Sequence, residues 1–313
     1  MYWLRSLIRY EAPCLLLCLM AFAGCATQRG EFFDAGGVPL HYRVKGQGDP
    51  VILVHGVAVN ARLNWGYSGI TRALARDYQV VTFDNRGHGR SGKPHGPDNY
   101  GIEMVEDVVR LMDHLGLGKA HVVGYSMGGF ITLKLLTTHP DRLLSAAPCG
   151  AGWEHLDTDG MRRLDEIARA IETDADYGPL LREVGLERKG FGRVKVFAVS
   201  KYFGHINDNQ AIADVVKSLP ELEVSEAELR ANQAPVLSIV GSVDPFKRGV
   251  DDMIGVLAHH EVVVVPRGSH YTTLNKRAMI EALRAFLRKH RSGDSGPVST
   301  AAGGPPATRE TQQ

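Results

Sequence analysis

The stretch Gly124-Tyr125-Ser126-Met127-Gly128 sets one serine between two glycines, with the apolar pair Val122 and Val123 before it and Phe130, Ile131, Leu133, Leu135 and Leu136 after it. A serine hydroxyl is a poor nucleophile until a base takes its proton, and that base needs a carboxylate to orient it. Among the 13 histidines, His270 is best placed: it follows the apolar run "EVVVVPRG" in a loop before the last helical segment. Asp244 follows "PVLSIVG" in the same way. Both stand at C-terminal ends of predicted strands, where the catalytic groups of open α/β sheets gather. His259 and His260 lie at the wrong end of their strand, His88 lies in a turn, and Asp251 and Asp252 fall one turn into a helical pattern. Attack on a carbonyl also needs donors for the oxyanion that forms. The amides of Val57, after "VHG", and of Met127 can supply them, each worth about 3 kcal/mol in the barrier. His55 is read as holding that loop rather than reacting.

This chemistry demands a particular backbone. A tight strand-to-helix turn exposes Ser126 Oγ and leaves no room for side chains at 124 and 128, so glycine is required at both. The helix then points its free N–H groups at the serine. The rest of the chain supplies the frame. "PVILVHG", "YQVVTFDNRGHGRSG", "HVVGYS", "LLSAAPC", "PVLSIVG" and "EVVVVPRG" read as strands, most of them buried on both faces, and "FFDAGGVPLHYRVKG" reads as two strands about a Gly-Gly turn. "MVEDVVRLMDHLGL" has helical spacing closed by Gly116, and "TTLNKRAMIEALRAFLRKH" reads as one long amphipathic helix. Alternating strands and helices make an α/β fold: a mostly parallel central sheet covered by helices on both faces. From residue 150 to 229 only helical patterns occur, an insertion of roughly 80 residues that is too long for a loop.

From Phe32 to His290 the chain resembles the α/β-hydrolase superfamily, on "VHGV", "FDNRGHGRS", "GYSMGG", "GSVDPF" and "GSH" in family order. The resemblance implies the chain order nucleophile, acid, histidine, here Ser126, Asp244 and His270. It also implies a core over 32–149 and 230–290, with a helical cap over 150–229 that roofs the site. Haloalkane dehalogenases and epoxide hydrolases of this fold use an aspartate nucleophile where this chain has Ser126. Carboxylesterases, lipases, C–C bond hydrolases, aminopeptidases and metal-free perhydrolases keep serine, so the bond cleaved stays open among them. Asp84 and Arg86 read as a loop-stabilising pair. Phe191, Phe197, Tyr202 and Phe203 of the cap either line an apolar acyl pocket or form the cap's own core. Cys149 reads as a buried bystander.

With 313 residues, 44% hydrophobic and 23% charged, and a formal net charge of +1, the chain can build a substantial core. It offers no electrostatic reason to bind nucleic acid. No Cys/His cluster has metal-ligand spacing, and "GHGRSG" lacks the lysine and helix context of a phosphate loop, so neither metal nor cofactor is expected. The N-terminus differs in character. Arg5 and Arg9 precede the apolar stretch "APCLLLCLMAFAGC", which is short for a bilayer span and has the form of an export signal. "FAGC" resembles a lipobox, with Phe22 in place of the usual leucine. Residues 1–24 are therefore read as a lipoprotein signal peptide, Cys25 as the lipidation site, 25–31 as a tether and 291–313 as a disordered tail; the alternative is plain secretion. Cleavage would leave Cys149 as the single free thiol, so no internal disulfide is expected.

The protein expected from these readings is an exported, lipid-anchored serine hydrolase of the bacterial envelope, on the periplasmic side of the outer membrane. Its expected partners are a small-molecule acyl substrate and the membrane. A C–C bond hydrolase or perhydrolase of the same fold, or a binding lipoprotein without catalysis, are the rivals.

Overall fold

Runs of valine, isoleucine and leucine become the strands that carry the site, in a computed structural model that describes residues 30–186 and 191–292. Phe32–Gln313 is one unit and Met1–Glu31 another; the segment read as a signal peptide and Cys25 lie outside the described residues, as does the segment from residue 293 read as a tail. In chain order the elements are β1 (Glu31–Asp34), β2 (Pro39–Lys45), β3 (Pro50–Val54), α1 (Ile70–Leu74), β4 (Gln79–Phe83), α2 (Ile102–His114), β5 (Ala120–Tyr125), α3 (Met127–Thr138) and β6 (Leu143–Cys149). There follow α4 (Thr158–Asp174), α5 (Gly178–Glu183), α6 (Phe191–Ile206), α7 (Asn209–Ser218), α8 (Glu226–Ala231), β7 (Val236–Gly241), α9 (Lys247–Asp252), β8 (His260–Val265) and α10 (Arg277–Lys289).

The eight strands form one sheet in the order β1-β2-β4-β3-β5-β6-β7-β8. β2 runs antiparallel to β4, and every pairing from β4 to β8 is parallel. Side chains alternate across a strand, so β3 splits between two cores. Ile52 and Val54 pack with Val105, Val108, Ile131 and Leu135 on the α2–α3 face. Val51 and Leu53 pack with Ile70, Leu74, Leu283 and Leu287 on the α1–α10 face. Both faces of the central strands are thereby buried, which is why their sequences read as continuous apolar runs.

Between β6 and β7 the regular elements among the described residues are all helical, and they begin at Thr158 after an irregular stretch from Gly150 to Asp157. Asp157 and Asp208 cap α4 and α7 through the N–H groups of Gly160 and Ala211, and Ser225 and Glu228 close a reciprocal capping box on α8, satisfying donors that a helix start leaves open. Ile167, Ile171, Tyr177, Leu181, Ile212 and Val216 make a separate apolar core for this layer, and Ala58, Val57 and Tyr271 from the sheet's loops join it. The cap core and the loops at the strand ends are one packed unit.

Two features differ from expectation. The segment from Thr272 to His290 is not one helix: Thr273–Asn275 is a separate 3-10 turn, and α10 starts only after the extended residue Lys276. Ser269 and Thr272 cause this by bonding each other's backbone and hydroxyl groups in a side-chain turn that competes with helix. The π-helical turn Arg62–Gly66 and α1 carry no clear sequence signal, because each is only five residues long and Gly66 and Gly69 interrupt the pattern. Cys149 ends β6, within the strand read at "LLSAAPC". Its thiol is fully buried, and burial pushes it up and keeps it protonated.

Candidate active site

β5 ends at Tyr125 and α3 begins at Met127, so the whole turn falls on Ser126, whose φ is 56° and ψ −123°. This is left-handed territory for a residue with a Cβ, costing on the order of 1–3 kcal/mol. The neighbours over-determine it. The Ser126 N–H donates to the Cys149 carbonyl at 2.9 Å, and the Gly129 and Phe130 N–H groups close on the Ser126 carbonyl at 2.7 and 3.1 Å. A side chain on Gly124 would overlap the Gly128 carbonyl, and one on Gly128 the Val54 carbonyl. Both glycines are there because the strand and the helix start nearly touch.

His270 and Asp244 come together although 26 residues separate them. The imidazole Nδ1 lies 3.1 and 3.2 Å from the two carboxylate oxygens, and both side chains are buried. Asp244 Oδ1 also accepts from the Phe246 N–H at 3.1 Å. The Phe246 and Tyr125 rings each lie 5.3 Å from the imidazole, and the Tyr125 hydroxyl donates to the His270 carbonyl. Tyr125 thus ties the histidine loop to the residue before Ser126. With Nδ1 turned to the acid, Nε2 is the nitrogen left for chemistry. Among the described residues no hydrogen bond joins it to Ser126 Oγ; such links tighten when substrate is bound.

The loop after β3 is held peptide by peptide. The His55 carbonyl accepts from Asn85 Nδ2 at 3.1 Å, and the Gly56 N–H donates to Asn64 Oδ1 at 3.1 Å. The Gly56 carbonyl accepts from His55 Nδ1 at 2.7 Å, and the Ala58 N–H donates to His88 Nε2 at 3.2 Å. A trans peptide carries its C=O and N–H on opposite sides, so fixing the Gly56 carbonyl fixes the direction of the Val57 N–H. Among the described residues no hydrogen bond uses the Val57 or Met127 amide. A Cβ on Gly56 would come 3.2 Å from Ser126 Cβ, which places this loop beside the serine.

His55 and His88 do their work as neutral rings. The Asn85 N–H donates to His55 Nε2 at 2.9 Å, and His88 Nδ1 donates to the Arg86 carbonyl at 2.9 Å. Each ring therefore uses one nitrogen as donor and the other as acceptor, which the imidazolium form cannot do. Burial is the main cause that lowers both, His88 to about 3.

Asp84 and Arg86 do not pair with each other. Asp84 accepts from His41 and from the Ala61 and Arg90 N–H groups. Burial alone would raise its carboxyl, but these hydrogen bonds hold it at about 2. Arg86 instead forks onto Asp107 of α2 with two 2.7 Å bonds and reaches the Asn99 carbonyl. Both residues still brace the loop, each toward a different element. Asp107 carried no sequence signal, since its helical position reads as a surface charge. Asn64 and Tyr125 were missed for a related reason: their roles depend on partners far along the chain.

The cap aromatics divide. The Phe203 ring lies 5.7 Å from that of Tyr177 and is packed against the cap core. Phe197 is exposed, with Lys201 over its ring, and Tyr202 is also exposed; the Phe191 side chain lies outside the described residues. Asp251 and Asp252 lie in α9, paired with Lys247 and Arg248. His260 bonds Ser238 at the opposite end of the sheet. Among the described residues no group of three His, Cys, Asp or Glu could hold a metal ion.

With this geometry in view, residues 49–177 match the sequence profile of the alpha/beta hydrolase fold family. The chain has the α/β-hydrolase fold. RutD of Azorhizobium caulinodans, named for carbamate hydrolysis, is 34% identical over 144 residues, which cover 45% of this chain and 51% of that one. The match thus spans only about half of that relative's length. A thermophilic esterase from Thermogutta terrifontis superposes with a TM-score of 0.70 at 23% identity, over 84% of this chain and 98% of that one. A meta-cleavage product hydrolase from Pseudomonas fluorescens superposes with a TM-score of 0.64 at 20% identity, over 82% and 98%.

Proposed function

We propose that the protein is a serine hydrolase that cleaves a carboxylic ester or similar acyl bond through an acyl-enzyme on Ser126. The observation that carries this reading is the strained Ser126 turn beside a buried His270–Asp244 pair. A turn that merely packed a helix on a sheet would have no reason to hold a serine at positive φ. In the reaction, His270 Nε2 takes the Ser126 Oγ proton as Oγ attacks the carbonyl carbon. The displaced π electrons form an oxyanion that accepts from the Val57 and Met127 amides, while Asp244 stabilises the imidazolium. Collapse expels the alcohol, which takes the proton from His270. Water then attacks the acyl-enzyme with the same histidine as base, and the acid leaves. The step needs no cofactor.

The apolar surroundings of the loops, with Val57 and Tyr271 joined to the cap core and Phe130 against Phe246, favour an acyl group without charge. A relative named for carbamate and a fold neighbour that is an esterase agree with acyl chemistry. The meta-cleavage product hydrolase neighbour favours a C–C bond as the second reading. We also propose that Cys25 is lipidated after removal of residues 1–24 and anchors the enzyme in the bacterial envelope. A palmitate label lost on Cys25→Ser checks this.

Hydrolysis of a p-nitrophenyl ester series from acetate to palmitate by residues 26–313, beside Ser126→Ala, tests the main reading. Chain-length-dependent turnover that vanishes in the variant supports it. Inactivity toward every ester, with turnover of a ring-cleavage product, replaces it with the second reading.

A further inference from the structure

Four consecutive peptide units run through the loop that carries the Val57 amide, and the cap holds the last of them. The unit linking Ala58 to Val59 has its carbonyl bonded by Asn207 Nδ2 at 3.0 Å. Asn207 follows α6 directly, and the same Nδ2 donates to the Phe203 carbonyl at 3.2 Å. Two carbonyl acceptors define the amide's orientation, because only its nitrogen can donate to both. Ala58 is fully buried and has a φ of 60°, a conformation an alanine keeps only when its surroundings impose it. The His88 ring holds its N–H from the core side, and Asn207 holds its carbonyl from the cap side.

We infer that Asn207 is a positioning residue through which the seated cap sets the oxyanion hole. This rests on the serine reading, since Val57 acts there as an oxyanion donor. If Asn207 lets go, Ala58 relaxes toward negative φ and the peptide between Val57 and Ala58 turns against its His88 bond. Val57 passes that rotation back to the Gly56–Val57 peptide, which strains its His55 bond and takes the Val57 N–H off its aim. Catalysis and cap seating are then coupled through one side chain. Oxyanion stabilisation is largest in the transition state, so the loss falls on kcat and spares KM.

The test compares Asn207→Ala and the isosteric Asn207→Asp with wild type and Ser126→Ala. All are measured on the best p-nitrophenyl ester, with folded active sites counted by fluorophosphonate labelling. Asn207→Asp keeps the volume but replaces the donor with an acceptor. Both Asn207 variants are expected to lower kcat per labelled site roughly tenfold, with KM within about twofold. Affinity for a trifluoromethyl ketone, whose adduct carries an oxyanion, should fall in parallel. If Ser126→Ala abolishes turnover but both Asn207 variants keep wild-type kcat and ketone affinity, the inference is overturned and the serine reading stands. A loss in Asn207→Ala that Asn207→Asp does not share assigns the residue to packing and also overturns it. Turnover that survives Ser126→Ala overturns both readings.

Discussion

Under the oxyanion loop, His55 and His88 are fully buried with both ring nitrogens bonded, whereas the cap's Lys217–Glu172 and Arg163–Glu183 pairs lie one-third to one-half exposed. In the loop each bond is desolvated and its partner is left unsatisfied if it breaks, so the geometry is enforced at high cost. In the cap, water can replace either ion, so the pairs trim the helices without dictating where they sit. Position is precise where the chemistry is proposed and forgiving above it. Asn207 is a hydrogen-bonded contact at which the tolerant layer touches the exacting one.

The largest effects should come from the exacting region. His270→Ala and Asp244→Asn are each expected to lower kcat by about 10⁴-fold or more while leaving the thermal midpoint near wild type; a loss under tenfold in either would remove that residue from the reaction. Arg86→Ala leaves Asp107 buried without its bidentate partner and should cost about 3–5 kcal/mol in urea unfolding. A cost below about 1 kcal/mol would mean that Arg110, 3.1 Å from Asp107, suffices alone.

The buried histidines make stability depend on pH in a defined direction. His55, His88 and His121 all titrate below the ordinary value of 6.5, chiefly through burial, His88 at about 3 and His121 at about 4. Below pH 6.5 the unfolded chain binds protons that the folded chain refuses. Stability is therefore complete above 6.5 and falls as pH drops toward those folded values. Each histidine contributes a slope of about 1.4 kcal/mol per pH unit within its window. Urea curves at pH 7.5, 6.5, 5.5 and 4.5 check this, and a flat profile would mean that these rings are protonated in the fold. The smallest effect belongs to the cap: Glu172→Gln should change stability by less than about 1 kcal/mol, and a larger loss would show that the cap is not the tolerant layer.

The sheet was readable because both its faces are buried, which forces unbroken apolar runs at "PVILV", "HVVGY" and "VLSIV". The Ser126 turn was readable because steric exclusion at 124 and 128 admits only glycine. Asp244 and His270 were found from strand ends, a rule about backbone position. The rule does not reach residues whose roles come from distant partners. Asp84 and Arg86 stand two apart and suggest a pair, yet each finds a buried partner on another element.

By itself the sequence determined what local sterics and burial periodicity dictate: the strands, the elbow at Ser126, the helical insertion and the two residues that meet below it. Only the tertiary structure decided which nitrogen of His270 faces the acid, that His55 and His88 are neutral braces, and that Asn207 reaches Ala58. Those outcomes depend on hydrogen bonds between residues up to 149 positions apart. Asparagine and histidine look the same in a sequence whether they end in solvent or in a desolvated pocket.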